Sequence, residues 1–371
     1  MYSSQMDCCR GEASRDRRLL EKDDGFTSRM TDQYCSRDVS PLLILSWIYA
    51  AIIILWFLLH GWFGDTLWWL ALLNAFVPFF FLPLVILVPI CFVYRDWRYW
   101  RSVLVPLVIF VFLYGELFLP NVPVRNADSI TVMTFNIWGG SQSTETAHVI
   151  VENGLPDIIA LQELTPQMVN VFLEEIGDLY PYRLLSPEGT YRGMGVLSRF
   201  PLTEIDTRHL AHPWWQVQAM RIETPAGPFT LYNVHPDATN VLVYIEEERD
   251  IPAEVRSSMA LRQQTIEMLV ADFSQRDGPI VVVGDFNSTD QSDVYALMRQ
   301  HLTDAHRASG WGLGHTFPAY GGSFRGIPIV PLQMRLDMAF LSRDFQAART
   351  WVSQAYGESD HRPLLTEFVW R

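Results

Sequence analysis

Residues 279–287 read PIVVVGDFN, an apolar run that ends on a glycine, a carboxylate and an amide. Its aliphatic residues, bounded by Pro279 and Gly284, predict a short β-strand. The residues after the strand have an ordinary explanation, because Asp285 and Asn287 could form an Asx turn. They could equally be functional groups that a rigid strand end presents, and the rest of the chain bears on which interpretation holds.

The same arrangement, a polar residue at the end of an apolar run, recurs along the chain. Its members are Asn136 in TFNIW, Glu163 in LQEL, Asp337 in RLD and the run SDHRP at 359–363, with a weaker example in NVHP at 233–236. Each one alone could cap a helix or turn, or lie in a solvated loop. Together they predict strands that converge on carboxylates, amides and a histidine, and so build a polar site on a rigid scaffold.

From about residue 126 onward, short β-type runs alternate with amphipathic stretches. Strands are predicted at 129–137, 157–162, 193–198, 216–223, 229–235, 279–285, 335–341 and 364–369. Helices are predicted at 144–153 and 165–176, and the longest helical pattern covers 253–274. Many strands with helices between them predict an α/β domain of two packed sheets with helices outside.

The motifs resemble those of the endonuclease/exonuclease/phosphatase superfamily, which includes pancreatic-type DNases, apurinic endonucleases, inositol-polyphosphate phosphatases and neutral sphingomyelinases. The resemblance rests on the Asn136 strand, Gln162-Glu163, GMGVLSR at 193–199, GDFN at 284–287, RLD at 335–337 and SDHRP at 359–363. It covers roughly residues 129–371. It implies a DNase-like fold, a four-layer αββα sandwich.

The resemblance also implies a role in phosphate-ester hydrolysis for each motif residue. The catalytic roles fall to Asp285, which orients and deprotonates the attacking water, to Asn287, His361 and His235, which contact the phosphate, and to Asp337, which orients His361 and raises its pKa. Glu163, a hard carboxylate ligand, would bind the metal, Asn136 would support the metal or a phosphate oxygen, and Asp360 is a candidate second metal ligand. Oxygen ligands suit hard cations, so Mg²⁺ or Mn²⁺ is the expected cofactor. Asp237 departs from the family patterns, and its role stays open.

Apolar stretches precede this domain at about residues 41–59, 67–94 and 103–119. A membrane-spanning helix needs roughly 20 apolar residues, and the prolines of the second stretch are tolerated in membrane helices. The first stretch lies too far into the chain for a signal peptide. We therefore predict a flexible cytoplasmic tail over 1–40, a three-helix transmembrane region over 41–120 and the catalytic domain over 121–371.

Basic residues predict on which side of the membrane the domain lies. The segment between the second and third stretches carries Arg95, Arg98 and Arg101, the tail holds seven Lys and Arg residues, and residues 60–65 hold none. Short basic segments face the cytoplasm. With three spans, the catalytic domain is then expected on the extracytoplasmic face of the cell membrane.

The charge of the chain bears on its substrate. The 28 Lys and Arg residues against 41 Asp and Glu residues give a net charge of −13. Ten basic and eleven acidic residues lie up to Pro120, which leaves 18 against 30, or −12, and no lysine in the remainder. Nucleic-acid binding relies on Lys and Arg contacts to phosphates, and an acidic segment at 246–250 would repel a polyanion. A membrane lipid or lipid-linked phosphate is therefore the expected partner.

These observations predict a metal-dependent phosphoesterase that acts on a lipid-linked phosphate or pyrophosphate at the outer membrane face. The architecture further resembles that of bacterial membrane proteins of the teicoplanin-resistance type, which act on lipid-linked pyrophosphate. Trp214 and Trp215 could dip into the bilayer or pack in the core. An extracellular nuclease stays an alternative, and so does a non-catalytic membrane binding module, although the full motif set argues against the latter.

Overall fold

A computed structural model describes residues 40–120, 128–189, 191–207, 210, 217–320, 322–324, 327–329 and 332–371 of the chain. The predicted tail up to residue 39 lies outside these described residues, and so do Trp214 and Trp215. The motif residues to which the sequence points are all described.

The apolar stretches form a bundle of helices. Their bounds are α1 Pro41–Phe63, α2 Trp68–Asn74, α3 Val77–Phe80, α4 Leu82–Tyr94 and α5 Trp97–Tyr114, followed by a 3₁₀ turn, Gly115–Phe118. In the described part of the chain, three helical segments are long and apolar enough to cross a membrane: Pro41–Phe63, Val77–Tyr94 and Trp97–Phe118. The second apolar stretch is longer than its span, because Pro78 and Pro83 lack a backbone N–H and stand in the first turns of new helices, α3 and α4.

Two mixed six-stranded sheets form the rest of the described chain. The first sheet has the order β13 (Phe345–Val352), β14 (Leu364–Trp370), β1 (Ile130–Asn136), β2 (Ile158–Gln162), β4 (Met194–Ser198), β3 (Tyr182–Ser186). The second has the order β5 (Leu202–Ile205), β6 (Val217–Thr224), β7 (Gly227–Val234), β8 (Ile280–Asp285), β12 (Asp337–Leu341), β9 (Thr303–Asp304). The pairs β1–β2 and β7–β8 are parallel, and the other neighbours are antiparallel. A separate hairpin comprises β10 (Gly322–Phe324) and β11 (Ile327–Ile329).

Helices cover the outer face of each sheet. They are α6 (Thr144–Glu152) and α7 (Pro166–Ile176) on the first sheet, and α9 (Ile251–Phe273) and α10 (Asp293–His301) on the second, with short helices α8 (Val241–Glu246) and α11 (Ala305–Ser309). Successive strand residues face opposite sides, so Val281 and Val283 of β8 enter the core between the sheets, whereas Ile280 and Val282 pack with α9 and α10. The layers therefore confirm the predicted αββα sandwich.

Strand register brings the motif residues to one edge of this sandwich. In the parallel pair β1–β2, Asn136 is the partner of Gln162, so Glu163 follows at the same edge. In the second sheet, β12 runs antiparallel to β8, and Asp337 at its start is the partner of Asp285. Residues that lie far apart in the sequence thus meet because of how the strands pair.

The sandwich contacts the helix bundle where α1 turns into α2. The backbone N–H of Asp65 donates to Oδ2 of Asp293 at 2.9 Å, and the N–H of Asp293 donates to Oδ2 of Asp65 at 2.8 Å. Gly64 has φ +52°, and a Cβ there would stand 2.3 Å from Oδ1 of Asp293. The hydroxyl of Thr289 donates to the carbonyl of Asn74 at 3.4 Å. The α1–α2 turn therefore lies on the same side of the bundle as the domain.

Candidate active site

The GDFN motif places a carboxylate in the interior at the end of β8. Gly284 has φ +153°, and a Cβ there would stand 1.9 Å from the carbonyl oxygen of Val234 on β7, so the close approach of the strands requires glycine. Oδ1 of Asp285 accepts the N–H of Asn287 at 2.9 Å. The Asx turn that the sequence allows is therefore present. Asp285 is nevertheless only 1% exposed, and its Oδ2 is directed at other site residues.

His361 lies between two buried carboxylates. Its Nδ1 is 2.8 Å from Oδ2 of Asp337, and its Nε2 is 3.6 Å from Oδ2 of Asp285. Ser359 holds the histidine backbone, because its hydroxyl accepts the N–H of His361 at 2.9 Å and donates to the carbonyl of Asn136 at 2.7 Å. The SDH motif is thereby tied to the end of β1.

This arrangement favours the charged imidazole. Burial by itself lowers the pKa of His361, but the charges of Asp337 and Asp285 outweigh burial and raise the pKa to about 10. Burial also opposes ionisation of Asp285, yet His361 and His235 hold the pKa of its carboxyl below the usual value. At neutral pH the site therefore holds an imidazolium that the Asp337 hydrogen bond orients and that can donate from Nε2.

Asn136 connects the two sheets at the site. Its amide nitrogen donates to Oε1 of Glu163 and to Oδ2 of Asp285, both at 3.0 Å. Its side-chain oxygen accepts the N–H of Trp138 at 3.0 Å. Asn136 thus holds the carboxylates of Glu163 and Asp285, and the other oxygen of Glu163 accepts the N–H of Gly139 at 2.8 Å.

The backbone is strained at three positions around the site. Trp138, Glu163 and Asn287 have φ values of 61°, 59° and 49°. Residues other than glycine rarely adopt this left-handed backbone conformation. Such strain persists where the surrounding structure fixes the conformation, often at functional sites. Here each strained residue stands at or just beyond a strand end, which turns its side chain or N–H into the site.

His235 and Asn287 complete the cluster. Nε2 of His235 is 3.7 Å from Oδ2 of Asp285 and 3.9 Å from Oε1 of Glu163. The side-chain amide of Asn287 donates one N–H to the carbonyl of Pro236 at 3.0 Å. An amide nitrogen carries two hydrogens, so Asn287 keeps a second donor that a phosphoryl oxygen could use.

Asp237, whose role the sequence left open, is linked to a buried arginine. Nε of Arg262 donates to the carbonyl of Asp237 at 3.0 Å, and Nη2 donates to the hydroxyl of Thr239 at 2.5 Å. Burial lowers the pKa of Arg262, while the charges of Asp237, Asp65 and Asp285 raise it. Asp237 thus belongs to a network that holds the loop after His235 in place.

Glu163 and Asp360 are two carboxylates of the site whose charges act on one another. Burial raises the pKa of Asp360, and the neighbouring Glu163 charge acts in the same direction against the opposing charge of His361. A cation between the two carboxylates would offset their repulsion. Asp285, Asp337 and His361 also bring three ligand atoms within 4.8 Å of one another. That group is less suitable, because the imidazolium form of His361 has no free lone pair for a metal.

Two supporting residues carried no recognisable sequence signal. The hydroxyl of Thr316 accepts the N–H groups of Leu336 and Asp337, each at 3.2 Å. The ring of Phe317 packs against the His361 ring with centroids 4.7 Å apart. Both lie in a segment without strand or helix periodicity, so only the fold reveals them. Gly139 did have a signal, since the pair Gly139-Gly140 directly follows a strand motif.

Solved structures of similar fold have low sequence identity to the chain. The endonuclease/exonuclease/phosphatase from Bacteroides vulgatus matches with a TM-score of 0.50 and 17% identity, over 66% of this chain and 99% of that chain. D. rerio TDP2 complexed with a single-strand DNA product matches with a TM-score of 0.50 and 13% identity, over 65% and 99% of the respective chains. These likenesses show the fold alone. No curated protein sequence matches the chain.

A family comparison covers most of the sandwich. The model of the Endonuclease/Exonuclease/phosphatase family matches residues 133–361, from within β1 to His361. The members of this family are hydrolases, among them nucleases and phosphatases, and they generally depend on divalent metals. Together with the two mixed sheets and the site at their common edge, the match shows that the chain belongs to the Endonuclease/Exonuclease/phosphatase family.

Proposed function

We propose that the protein is a membrane-anchored phosphoesterase that hydrolyses a phosphate ester or pyrophosphate of a lipid-linked substrate at the outer membrane face. The observation that carries this proposal is the contact between the segment that follows the GDFN motif and the helix bundle. Thr289, two residues after Asn287, donates to the carbonyl of Asn74 at the end of α2. Only a short segment thus separates Asn287, to which we assign a phosphate contact, from the helix bundle.

The side chains support hydrolysis by an activated water. Asp285 orients a water and takes one of its protons while the water oxygen attacks phosphorus and the bond from phosphorus to the leaving oxygen breaks. His361 donates a hydrogen bond from Nε2 to a phosphoryl oxygen, and Asn287 donates another through its amide. These donors stabilise the negative charge that develops on the phosphoryl group, which is how preorganised sites lower such barriers.

We assign the metal to the Glu163 side of the site. Glu163 and Asp360 would hold Mg²⁺ or Mn²⁺, because hard cations prefer carboxylate oxygens. The ion would neutralise phosphate charge when bound. Asn136 serves this site by fixing the orientation of Glu163 through a hydrogen bond of 3.0 Å.

The surface charge supports a lipid rather than a nucleic-acid substrate. The residues after Pro120 carry a net charge of −12, and Glu246, Glu247 and Glu248 are exposed at the end of α8, close along the chain to His235. A polyanionic strand would be repelled there. A tethered enzyme also meets a membrane substrate at a high local concentration. The single-strand DNA product was bound by D. rerio TDP2, and at this low identity it does not indicate the substrate of the present protein.

The test uses the full-length protein in phospholipid vesicles with Mg²⁺ or Mn²⁺. A phosphodiester, a phosphomonoester, a lipid pyrophosphate and plasmid DNA are offered, and Asp285→Asn is the inactive control. We expect the lipid pyrophosphate to be hydrolysed fastest, and a chelator to abolish the reaction. Faster cleavage of plasmid DNA at physiological salt would favour the nuclease alternative. Absence of any hydrolysis would favour the non-catalytic module.

The proposed orientation has its own experiment. Protease added to intact spheroplasts should remove the part of the chain after about Pro120 if the domain is extracytoplasmic. A cytoplasmic marker protein, intact throughout, controls for lysis. Digestion of the domain only after lysis would place it inside and would contradict the proposed membrane face.

A further inference from the structure

One loop of the domain joins the membrane helices to the catalytic pair. Residues 310–317, here called the junction loop, follow α11 and lead to the bridge between Phe317 and Met334. The loop lacks regular structure apart from this bridge. Its first half contacts the helix bundle, and its second half contacts the site.

The first half of the junction loop follows the end of the third apolar span. The N–H of Gly312 donates to the carbonyl of Leu117 at 2.7 Å. The Trp311 ring makes an edge contact with Phe118, with centroids 6.1 Å apart. Leu313 packs against the core of the helix bundle. Phe118 is the last residue of the span, so Trp311 lies at the level where the helix leaves the apolar layer.

Trp311 has an exposure that suits the bilayer surface. Its side chain is 71% exposed, although it stands beside apolar Phe118. An indole combines a large apolar ring with an N–H donor, and tryptophan is enriched where lipid head groups meet acyl chains. Trp62, near the end of α1 on the same side of the bundle, is 85% exposed. The two tryptophans mark one interfacial layer, to which the domain itself contributes Trp311.

The second half of the loop holds the catalytic pair. Thr316 accepts the N–H of Asp337 at 3.2 Å, and its carbonyl accepts the N–H of Arg362 at 2.8 Å. Phe317 covers the His361 ring. Between the two halves, His315 stacks on Phe79 of α3 with centroids 5.8 Å apart. Contacts to the bundle or to the site thus hold both halves of the loop, whereas the Trp311 side chain is largely exposed.

We propose that the junction loop is a lipid-contacting element: the head-group layer on the domain's side of the membrane holds Trp311, and this contact keeps Thr316 and Phe317 against the Asp337–His361 pair. The partner is a phospholipid surface. Without that surface, Trp311 is exposed to water, the loop has fewer contacts and the pair is less well positioned.

Lipid contact is measured without any assay of activity. In a full-length background with Cys8, Cys9 and Cys35 changed to serine and the fully buried Cys91 retained, Trp311→Cys is labelled with a nitroxide in phosphatidylcholine–phosphatidylglycerol vesicles. We expect the label to be more accessible to oxygen than to a polar nickel complex, as lipid-facing labels are. Leu179→Cys, at an exposed residue that follows α7, is the aqueous control. Equal nickel accessibility at both positions would overturn the proposal.

The effect on the site is measured by turnover in the same vesicles, and this part rests on the proposed function. Trp311→Ser should lower kcat for a small soluble phosphodiester by about tenfold, as small misplacements of reacting groups do, with little change in KM. Trp311→Tyr, which keeps an amphipathic ring, should restore most of it. Trp62→Ser is the matched control and should leave kcat unchanged.

The two measurements separate the possible failures. Lipid contact of the label combined with a wild-type kcat in Trp311→Ser would overturn the link to the site. A folded wild-type protein without phosphoesterase turnover would refute the proposed function, while the nitroxide result would still decide whether the loop contacts lipid. Thermal melts of each variant show whether a loss of turnover reflects unfolding.

Discussion

Two buried aspartates in the same domain differ in how completely their carboxylates are bonded. Asp304, at the end of β9, accepts from Arg335 through both oxygens at 3.1 and 2.8 Å, and from the hydroxyl of Tyr295 at 2.6 Å. Its Oδ1 also accepts the N–H groups of His306 and Arg307. Asp337, on neighbouring β12, binds His361 through Oδ2, whereas its buried Oδ1 has no hydrogen-bond partner among the described residues.

The two environments shift the pKa values in opposite directions. Burial would raise the pKa of Asp304, but Arg335 and the other donors lower it far below the usual range. At Asp337, burial dominates and raises the pKa of the carboxyl. A buried carboxylate with every lone pair bonded contributes to the fold, and one that is only partly bonded retains a capacity for chemistry. We therefore expect changes around Asp304 to reduce stability and changes around Asp337 to reduce turnover.

The largest effect is expected at the catalytic pair. His361→Ala removes the phosphate contact and should lower turnover by roughly 10²–10⁴-fold, the usual range for a positioned acid–base group. Asp337→Asn should have a smaller effect, because the His361 ring remains and only its positive charge and its orientation are less well maintained. The double variant should be hardly slower than His361→Ala, since residues that act as one unit are non-additive.

Turnover of these three variants is compared with their thermal melts. Folding should survive each change if the pair is catalytic. Effects that multiply in the double variant would show that the two residues act separately. A large loss of melting temperature in His361→Ala would make the pair structural, and the contrast with Asp304 would disappear.

The next largest effect is expected at Asp304, the aspartate whose two carboxylate oxygens are both hydrogen-bonded. Arg335→Leu leaves the Asp304 carboxylate buried without its bidentate partner, and breaking a buried pair costs about 3–5 kcal/mol of unfolding free energy. Turnover of the molecules that remain folded should stay within a few fold of wild type. Denaturant unfolding in detergent measures the loss. Arg349→Leu, at an exposed arginine on β13, is the control and should change little. A stable but inactive Arg335→Leu would place Arg335 in the catalytic machinery.

The sequence predicted the central strands well because their signals are local. The runs that became β1, β2, β7 and β8 are apolar and lead into motif residues, and the run that became β12 follows one, Asp337. Both the strands and the meeting of these residues therefore followed. The edge strands β3, β5 and β13 were not predicted. Their residues are partly exposed and mixed in polarity, so neither alternation nor a continuous apolar run marks them. Helix α10, which buries Val294, Tyr295 and Met298, was not predicted either.

Hydrogen-bonded pairs of residues that lie far apart in the chain could not be predicted from the sequence, for a different reason. Nothing local to Asp304 distinguishes it from a surface aspartate, because its partner Arg335 is 31 residues away. Asp337 and His361 could be paired only through the resemblance to a family. The orientation of the Asn136 amide, which faces the carboxylates with its nitrogen, follows from packing between two sheets and has no counterpart in residue order.

The pH dependence of stability tests the cluster around Asp304 further. Burial lowers the pKa of His306 to about 4, and its ring Nε2 contacts the carbonyl of Gly312 at 3.0 Å. The unfolded imidazole takes up a proton near its ordinary pKa of about 6.5, whereas the folded one does so only near 4. The unfolded state therefore binds more protons between these values, and stability falls as the pH falls through this window.

The expected loss between pH 7 and 4 is up to about 3 kcal/mol of unfolding free energy. His306→Asn cannot titrate, so its stability should depend less on pH across the window. Denaturant unfolding at several pH values compares the two proteins. His148→Asn, at a partly exposed histidine, should retain the wild-type dependence. Identical pH profiles for wild type and His306→Asn would show that the buried imidazole is not held neutral.

The smallest effect is expected where carboxylates face each other at the α1–α2 turn. Asp65 and Asp293 each accept the other's backbone N–H, and Asn74 donates to Oδ1 of Asp65 at 3.0 Å. Burial raises the pKa of Asp65, and the Asp293 charge adds to the rise. The bonds and the charge therefore act against each other, unlike at Asp304, where both stabilise the ionised form.

Two substitutions of Asp65 separate these contributions. Asp65→Ala removes the acceptor for the Asp293 N–H and should cost about 1 kcal/mol, as the loss of a helix-capping side chain does. Asp65→Asn removes the charge and keeps one acceptor for the Asp293 N–H, although its NH2 then faces Asn74. It should therefore cost less than Asp65→Ala at pH 7, because burial disfavours the ionised form of this group. Unfolding in detergent, with the exposed Asp178→Asn as control, resolves the difference. If Asp65→Asn is as damaging as Asp65→Ala, the charge itself stabilises the turn, and the Asp65 carboxylate resembles that of Asp304 rather than that of Asp337.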